Sequence, residues 1–257
     1  MQTYLKTAVG IAAAFTVAEA SAASFIVGPA ALNAQVGPRT TPVYEEGFED
    51  FALGTVDGQF GWVSTFPPNT NIDVFPSEGL QNLSMITDGS GVADLVFSPV
   101  FGDLGLGDSV TMSVDFATTG GSSFEIITQS TTQQLVNTRV LIDPNGGIAA
   151  LEDDSGSAVF TDTGATAAPG YNTLEIEVER ATGIFTLDLN GAEIFSGLGF
   201  ATLLDQIVFL SANDGATAGD FFDIDDISVS QTIPVPGAAP LFAAGLLALA
   251  RRRRKAA

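Results

Sequence analysis

The sequence predicts an all-β fold, an antiparallel sandwich, and three observations predict it. Between Val43 and Ser230 apolar and polar residues alternate in short runs, the period of a strand with one buried face. Turn residues punctuate those runs about every eight to twelve positions. No stretch of that body sustains the 3.6-residue apolar repeat that a long helix requires. Hydrophobic residues make up 46% of the 257, enough to fill one substantial core.

The elements follow in order. The opening MQTYLKTAVGIAAAFTVAEASAASF carries one base, Lys6, then an apolar run from Thr7 to Ala18, then small residues. Ala18-Glu19-Ala20 and Ala20-Ser21-Ala22 fit the small-x-small pattern of a cleavage site, so residues 1–22 read as a secretory signal helix. Residues 23–42, rich in Ala, Pro and Gly, read as a linker, and residues 43–230 as the sandwich. Within it, DSVTMSVDFAT places Val110, Met112, Val114 and Phe116 on one face. LVNTRVLID runs into the turn signal PNGG, and GIAALEDDSGSAVFTD reads as a hairpin about Asp154-Ser155-Gly156. In YNTLEIEVERATGIFTLDLNGAEIFSG, Leu174, Ile176 and Val178 face one way and Glu175, Glu177 and Glu179 the other. Phe185, Leu187 and Leu189 resume the apolar face after a turn, and Asn190-Gly191 reverses the chain again.

Residues 231–257 form a tail of three parts: Pro234-Val235-Pro236, an apolar run from Ala238 to Ala250, and Arg251, Arg252, Arg253, Arg254 with Lys255. As a helix the apolar run reaches about 20 Å, short of a hydrocarbon core of about 30 Å. The basic cluster would stay on the cytoplasmic side of a membrane, with the acidic body outside. This layout resembles the PEP-CTERM class of sorting signals, closest to its Val-Pro-x-Pro variants. That resemblance implies recognition by an exosortase, transient insertion in the inner membrane, and delivery to the surface or exopolysaccharide matrix of a Gram-negative bacterium.

Charge and composition exclude several functions. The chain has 9 Lys+Arg against 30 Asp+Glu, a net charge of −21. Removing the two ends leaves three bases, Arg39, Arg139 and Arg180, against 29 acids, a net −26. A body this negative repels nucleic acid and anionic lipid. Cysteine and histidine are both absent, which removes disulfides, thiolate nucleophiles and His-based triads. No phosphate-cradling glycine loop or cofactor fingerprint occurs.

Two outer segments, YEEGFEDFALGTVDGQFGW and FFDIDDISVS, resemble the first and last edges of concanavalin A-like jelly rolls, including laminin G-like domains. The resemblance implies that first and last strands pair, bringing Phe48-Glu49 alongside Ile224 to Val229. It implies a structural Ca²⁺ between Glu49 and Asp225 or Asp226. Independently, NDGATAGDFFDIDD gathers Asp214, Asp220, Asp223, Asp225, Asp226 and Asn213, oxygen ligands suited to calcium, without EF-hand spacing.

Two further chemistries are open. Trp62, Phe60 and Tyr171, with Phe66 and Tyr44, are the aromatics available to stack on a sugar ring. Glu175, Glu177 and Glu179 alternate as the acids of jelly-roll glycosidases do, with residues i and i+2 near the 5–5.5 Å of a retaining pair. That family's strand, however, usually carries Asp in the middle and sits amid tryptophans, and this chain has one. The reading is therefore a non-enzymatic, exported structural or adhesive protein with carbohydrate as its ligand. The alternative is a glycoside hydrolase or polysaccharide lyase using Glu175 and Glu179.

Overall fold

The computed structural model describes residues 39–74, 81–101, 107–213 and 219–233, all within one compact unit. In chain order the first strands are β1 (Arg39–Glu46), β2 (Gly54–Thr55), β3 (Val63–Ser64), β4 (Thr70–Val74), β5 (Gln81–Ile86) and β6 (Asp94–Phe97). The middle strands are β7 (Ser109–Thr118), β8 (Phe124–Ser130), β9 (Leu135–Ile142), β10 (Gly147–Asp154) and β11 (Ser157–Thr166). The last are β12 (Asn172–Glu179), β13 (Ile184–Leu189), β14 (Ala192–Leu198), β15 (Gln206–Ser211) and β16 (Phe221–Ile233). They form two antiparallel sheets. The nine-stranded sheet runs β14-β13-β12-β7-β16-β5-β4-β2 with β1 also on β16, and the seven-stranded sheet runs β11-β10-β9-β8-β15-β6-β3. The fold is thus an all-β sandwich, as the alternation predicts, and of the jelly-roll type that the resemblance implies.

Burial follows the period of two. On β7, Val110, Met112, Val114 and Phe116 are fully buried; on β12, Leu174, Ile176 and Val178 are, and on β13, Phe185 and Leu187. Facing them from the other sheet are Phe124, Ile126, Val140, Ile142, Ile207 and Phe209, which share one core with them. Each fully buried side chain of this size contributes roughly 1.5–3 kcal/mol. The hairpin turns form where the sequence marks them. Ser155 and Gly156 (φ 55° and 89°) join β10 to β11, and Asn190 and Gly191 (φ 53° and 77°) join β13 to β14. Both positive φ values in each pair suit the two-residue turn whose twist matches its strands.

The sandwich is longer than 43–230. Arg39 pairs with Ile233, Thr40 with Thr232, Thr41 with Gln231 and Pro42 with Ser230, so 39–42 are strand and not linker, and 231–233 are strand and not part of the tail. Pro42 is tolerated because β1 pairs with β16 alone, and an edge strand can spare one N–H. First and last strands do pair, as the jelly-roll resemblance implies. The partners of Glu45 and Glu46 are Ser228 and Ile227, while Phe48-Glu49 lies just beyond the end of β1. The expected signal helix, the Pro234-Val235-Pro236 motif, the apolar run and Arg251 to Arg254 lie outside the described residues. Among the described residues no helix is long and apolar enough to cross a membrane.

One strand edge explains the geometry of the site. On its β5 side, β16 gives Phe221–Ile224 to β5 and Ile227–Ile233 to β1. Between the two, the register with β7 shifts from Asp225 to Ser228, and Asp226 takes φ 44°. Such a bulge re-aims side chains and breaks the ladder locally.

Candidate functional site

The outward face of the nine-stranded sheet is built of carboxylates, hydroxyls and amides, because the residues between the buried ones of β7, β12, β13 and β16 are polar. Register sets them in rows. Asp115 on β7 is paired with Asp225 on β16 and with Thr173 on β12, whose Oγ1 donates to Asp115 Oδ1 at 2.6 Å. One row along, Asp223 lies between Ala117 of β7 and Ser84 of β5. Tyr171, just before β12, crosses both intervening strands: Asn82 Nδ2 on β5 donates to its hydroxyl at 3.3 Å. Asn82, Ser84 and Asp223 are consequently buried at 2%, 6% and 5% exposure on what is nominally an outward face.

The electrostatics follow from this packing. Burial pushes the Asp223 carboxyl up, Ser84 and Asn82 oppose that with hydrogen bonds, and Asp73 adds repulsion. Asp225 is pushed up to about 6, first by burial and then by Asp226, Glu49 and Asp115, against one hydrogen bond from the Asp226 N–H. Asn82 Oδ1 and Gln81 Oε1 are buried acceptors without a partner. A face with three crowded carboxyls and spare acceptors favours a ligand that donates hydrogen bonds.

The expected residues fare differently. Tyr171 and Asp225 belong to this face. Glu49 and Asp226 come to its rim at the bulge, where both raise the Asp225 carboxyl. Glu49 Oε1 accepts the Gln81 N–H at 2.8 Å, so it ties β5 to the segment after β1. Among the described residues, which leave out Asp214, no group of three or more Asp or Glu side chains is disposed to hold a metal ion.

Glu175 lies on the same outward face, paired with Asp188 on β13 and Ser113 on β7. Burial, then Asp188 and Glu177, hold its carboxyl above the usual range. Glu177 is exposed, and Glu179 accepts from Thr182 Oγ1 at 2.6 Å, which braces the turn between β12 and β13.

Trp62 requires a correction. It is 0% exposed, stacked on Phe209 at 6.3 Å and 10° and tilted against Phe48 at 5.4 Å. Neither ring face is available to a sugar. The ring fills the core between the two sheets, where one large indole excludes more water than it could cover on a rim. Phe60 is 64% exposed but packs on Phe51, in the loop joining β2 to β3. Phe66 is exposed and Tyr44 rests on Phe101. Asn82, Ser84 and Asp115 carry no sequence signal: they are ordinary polar members of alternating strands until β5, β7 and β16 are placed side by side.

No protein-family model matches the chain, and no curated protein matches its sequence. Solved structures match its fold. A chain named "Sialidase" aligns with TM-score 0.54 and 12% identity, over 73% of this chain and 18% of that one. SCLam, a non-specific endo-β-1,3(4)-glucanase from family GH16, aligns with TM-score 0.52 and 12% identity, over 75% of this chain and 91% of that one. At such identity the likeness is one of fold.

Proposed function

We propose that this chain is an exported, non-enzymatic β-sandwich that binds carbohydrate at the cell surface or in an exopolysaccharide matrix, delivered there through its PEP-CTERM-like tail by an exosortase. The observation that carries the reading is the Tyr171 phenol drawn across two strands onto Asn82, beside Asp223, Asp225 and Asp115. An aromatic ring with carboxylate and amide acceptors on one side matches a sugar's apolar ring face and its hydroxyl donors. The same carboxylates select by charge. The described bases other than Arg39 lie elsewhere: Arg139 on Glu125 of the seven-stranded sheet, and Arg180 with Nη1 on the Gly107 carbonyl. Uronate-rich or sulfated polymers are therefore repelled, and neutral or amino-sugar polymers favoured.

The fold shared with a β-glucanase supports β-glucan as the first neutral probe. The full chain should show saturable retention on it, reduced about tenfold or more by Tyr171→Ala and weakened by Asp223→Asn, with no retention on a uronate polymer. Equal retention by wild type and both variants sinks the reading. A second reading, hydrolysis, is favoured by the raised Glu175 carboxyl beside Glu177. It requires reducing-end release that Glu175→Gln and Glu179→Gln abolish. Release that both variants retain excludes it.

A further inference from the structure

The two sheets turn different faces outward. An antiparallel sheet in a sandwich ordinarily packs one face on the core and presents polar residues on the other. The nine-stranded sheet does so: on the face that carries Asp115 and Asp225, Glu175 pairs with Asp188 and Asp188 with Glu193. The seven-stranded sheet does not. Residues paired across antiparallel strands point to the same side, so its outward face can be followed strand by strand. Phe160 of β11 pairs with Leu151, Leu151 with Arg139 and Arg139 with Ile127. From Ile127 the row runs through Val208 and Phe97 to Val63 on β3. Two residues along each strand, a second row holds Leu95, Leu210, Glu125, Leu141 and Ala149. None of these side chains belongs to the core between the sheets. Phe160 and Val63, at the ends of the first row, are 41% and 53% exposed. Leu95, Phe97, Leu141, Leu151 and Leu210 are partly exposed.

This face is also electrically neutral. Its arginine and glutamate close on each other, Arg139 Nη2 to Glu125 Oε1 at 2.6 Å. The only other charge in the two rows is Asp162, opposite Ala149 at the β11 margin. A contiguous apolar surface with a polar rim, here the bonded pair Gln129 and Gln206, marks a place of contact. The body carries a net −26, so a second copy is repelled by the acidic surfaces and least by this one. A flat, apolar, uncharged face is moreover its own complement, because one patch serves both copies about a two-fold axis. Seven strands about 4.8 Å apart span roughly 29 Å, and two rows cover about 15 Å along them. The contact is then roughly 450 Å² per copy and about 900 Å² in all, the size of a weak, reversible dimer.

We propose that two copies of this chain pack back to back, seven-stranded sheet on seven-stranded sheet. The facing sheets lie about 10 Å apart and the acidic nine-stranded sheets roughly 30 Å apart, several Debye lengths at physiological salt. The two Tyr171 faces look away from each other. On the carbohydrate reading, which the dimer itself does not need, one dimer bridges two polymer strands.

The test is sedimentation equilibrium of the full-length chain from about 5 to 500 µM, with a Kd expected on the order of 10–100 µM. Raising NaCl from about 0.05 to 0.5 M should strengthen association several-fold, because salt screens the repulsion and leaves apolar burial intact. Leu151→Glu with Leu210→Glu should weaken it at least about tenfold by setting like charges face to face. Phe160→Glu, at an exposed position, should weaken it a few-fold, so the test stands even if the double variant fails to fold. The chain has no cysteine, so Leu210→Cys gives one thiol near the middle of the face. A bis-maleimide of about 10 Å should join two such chains, and should not join two chains carrying Glu177→Cys on the opposite sheet. The proposal is overturned if the chain stays monomeric throughout, or if the Glu variants associate as wild type, which places the contact in the apolar ends. It is equally overturned if salt dissociates the dimer, which assigns the contact to the basic tail on the acidic body.

Discussion

Arg139 reaches along the outward face of the seven-stranded sheet and closes a forked ion pair on Glu125, Nε to Oε2 at 2.5 Å and Nη2 to Oε1 at 2.6 Å. Its guanidinium also lies 5.6 Å from the centroid of the Phe160 ring. Glu125 is 7% exposed, between Ile127 and the paired Leu141 and Leu210. Removing the arginine strands that carboxylate among apolar neighbours. Arg139→Ala should therefore cost about 2–3 kcal/mol in urea unfolding, while Arg139→Met with Glu125→Leu should cost far less.

The bulge makes stability depend on pH in an uncommon direction. Asp225 binds its proton more tightly folded, with a value of about 6, than unfolded, near 3.8. Stability from this group is thus greatest below about pH 4 and is lost as pH rises through 6. Replacing it with a neutral isostere removes that loss. Asp225→Asn should be more stable than wild type by roughly 1 kcal/mol at pH 7.5, the full shift being reduced because the side chain is half-exposed, and equal to it at pH 4. Melting curves of the two chains at both pH values test this.

Trp62 should behave as a core residue. Trp62→Ala is expected to lower stability by about 3–5 kcal/mol, while Trp62→Phe, once folded, keeps β-glucan retention. As the only tryptophan in the chain, it should emit from an apolar environment and shift to the red on unfolding.

At the turn between β13 and β14, a methyl group at Gly191 would meet nothing within 4 Å, yet the residue sits at φ 77°. Gly191→Ala should then cost about 1 kcal/mol through backbone conformation alone. A urea midpoint unchanged by the substitution would show that the turn relaxes to another form.

What the sequence makes legible is local. The β12–β13–β14 meander can be read in advance because its alternation and its Asn-Gly turn are contiguous. The ends of β1 and β16 cannot. RTTPVYEE carries a proline and few apolar residues, and it is a strand only because Ile233 and its neighbours, nearly two hundred positions away, lie beside it. The same holds for the site. Asn82 and Tyr171 are 89 residues apart, and neither belongs to a motif that names the other. The burial of Trp62 depends on Phe209, and that of Glu125 on β9 and β15, which flank β8 and leave it buried on both faces with no alternation. Tertiary pairing overrides the local pattern in each case.

The pairing of Arg39 with Ile233 leaves the first and last residues of the sandwich about 5 Å apart. A short Gly-Ser bridge would close that gap, and the chain could be reopened at the exposed Ser155-Gly156 tip. A circular permutant of this kind should keep the fold while moving both points of attachment to the β10–β11 hairpin.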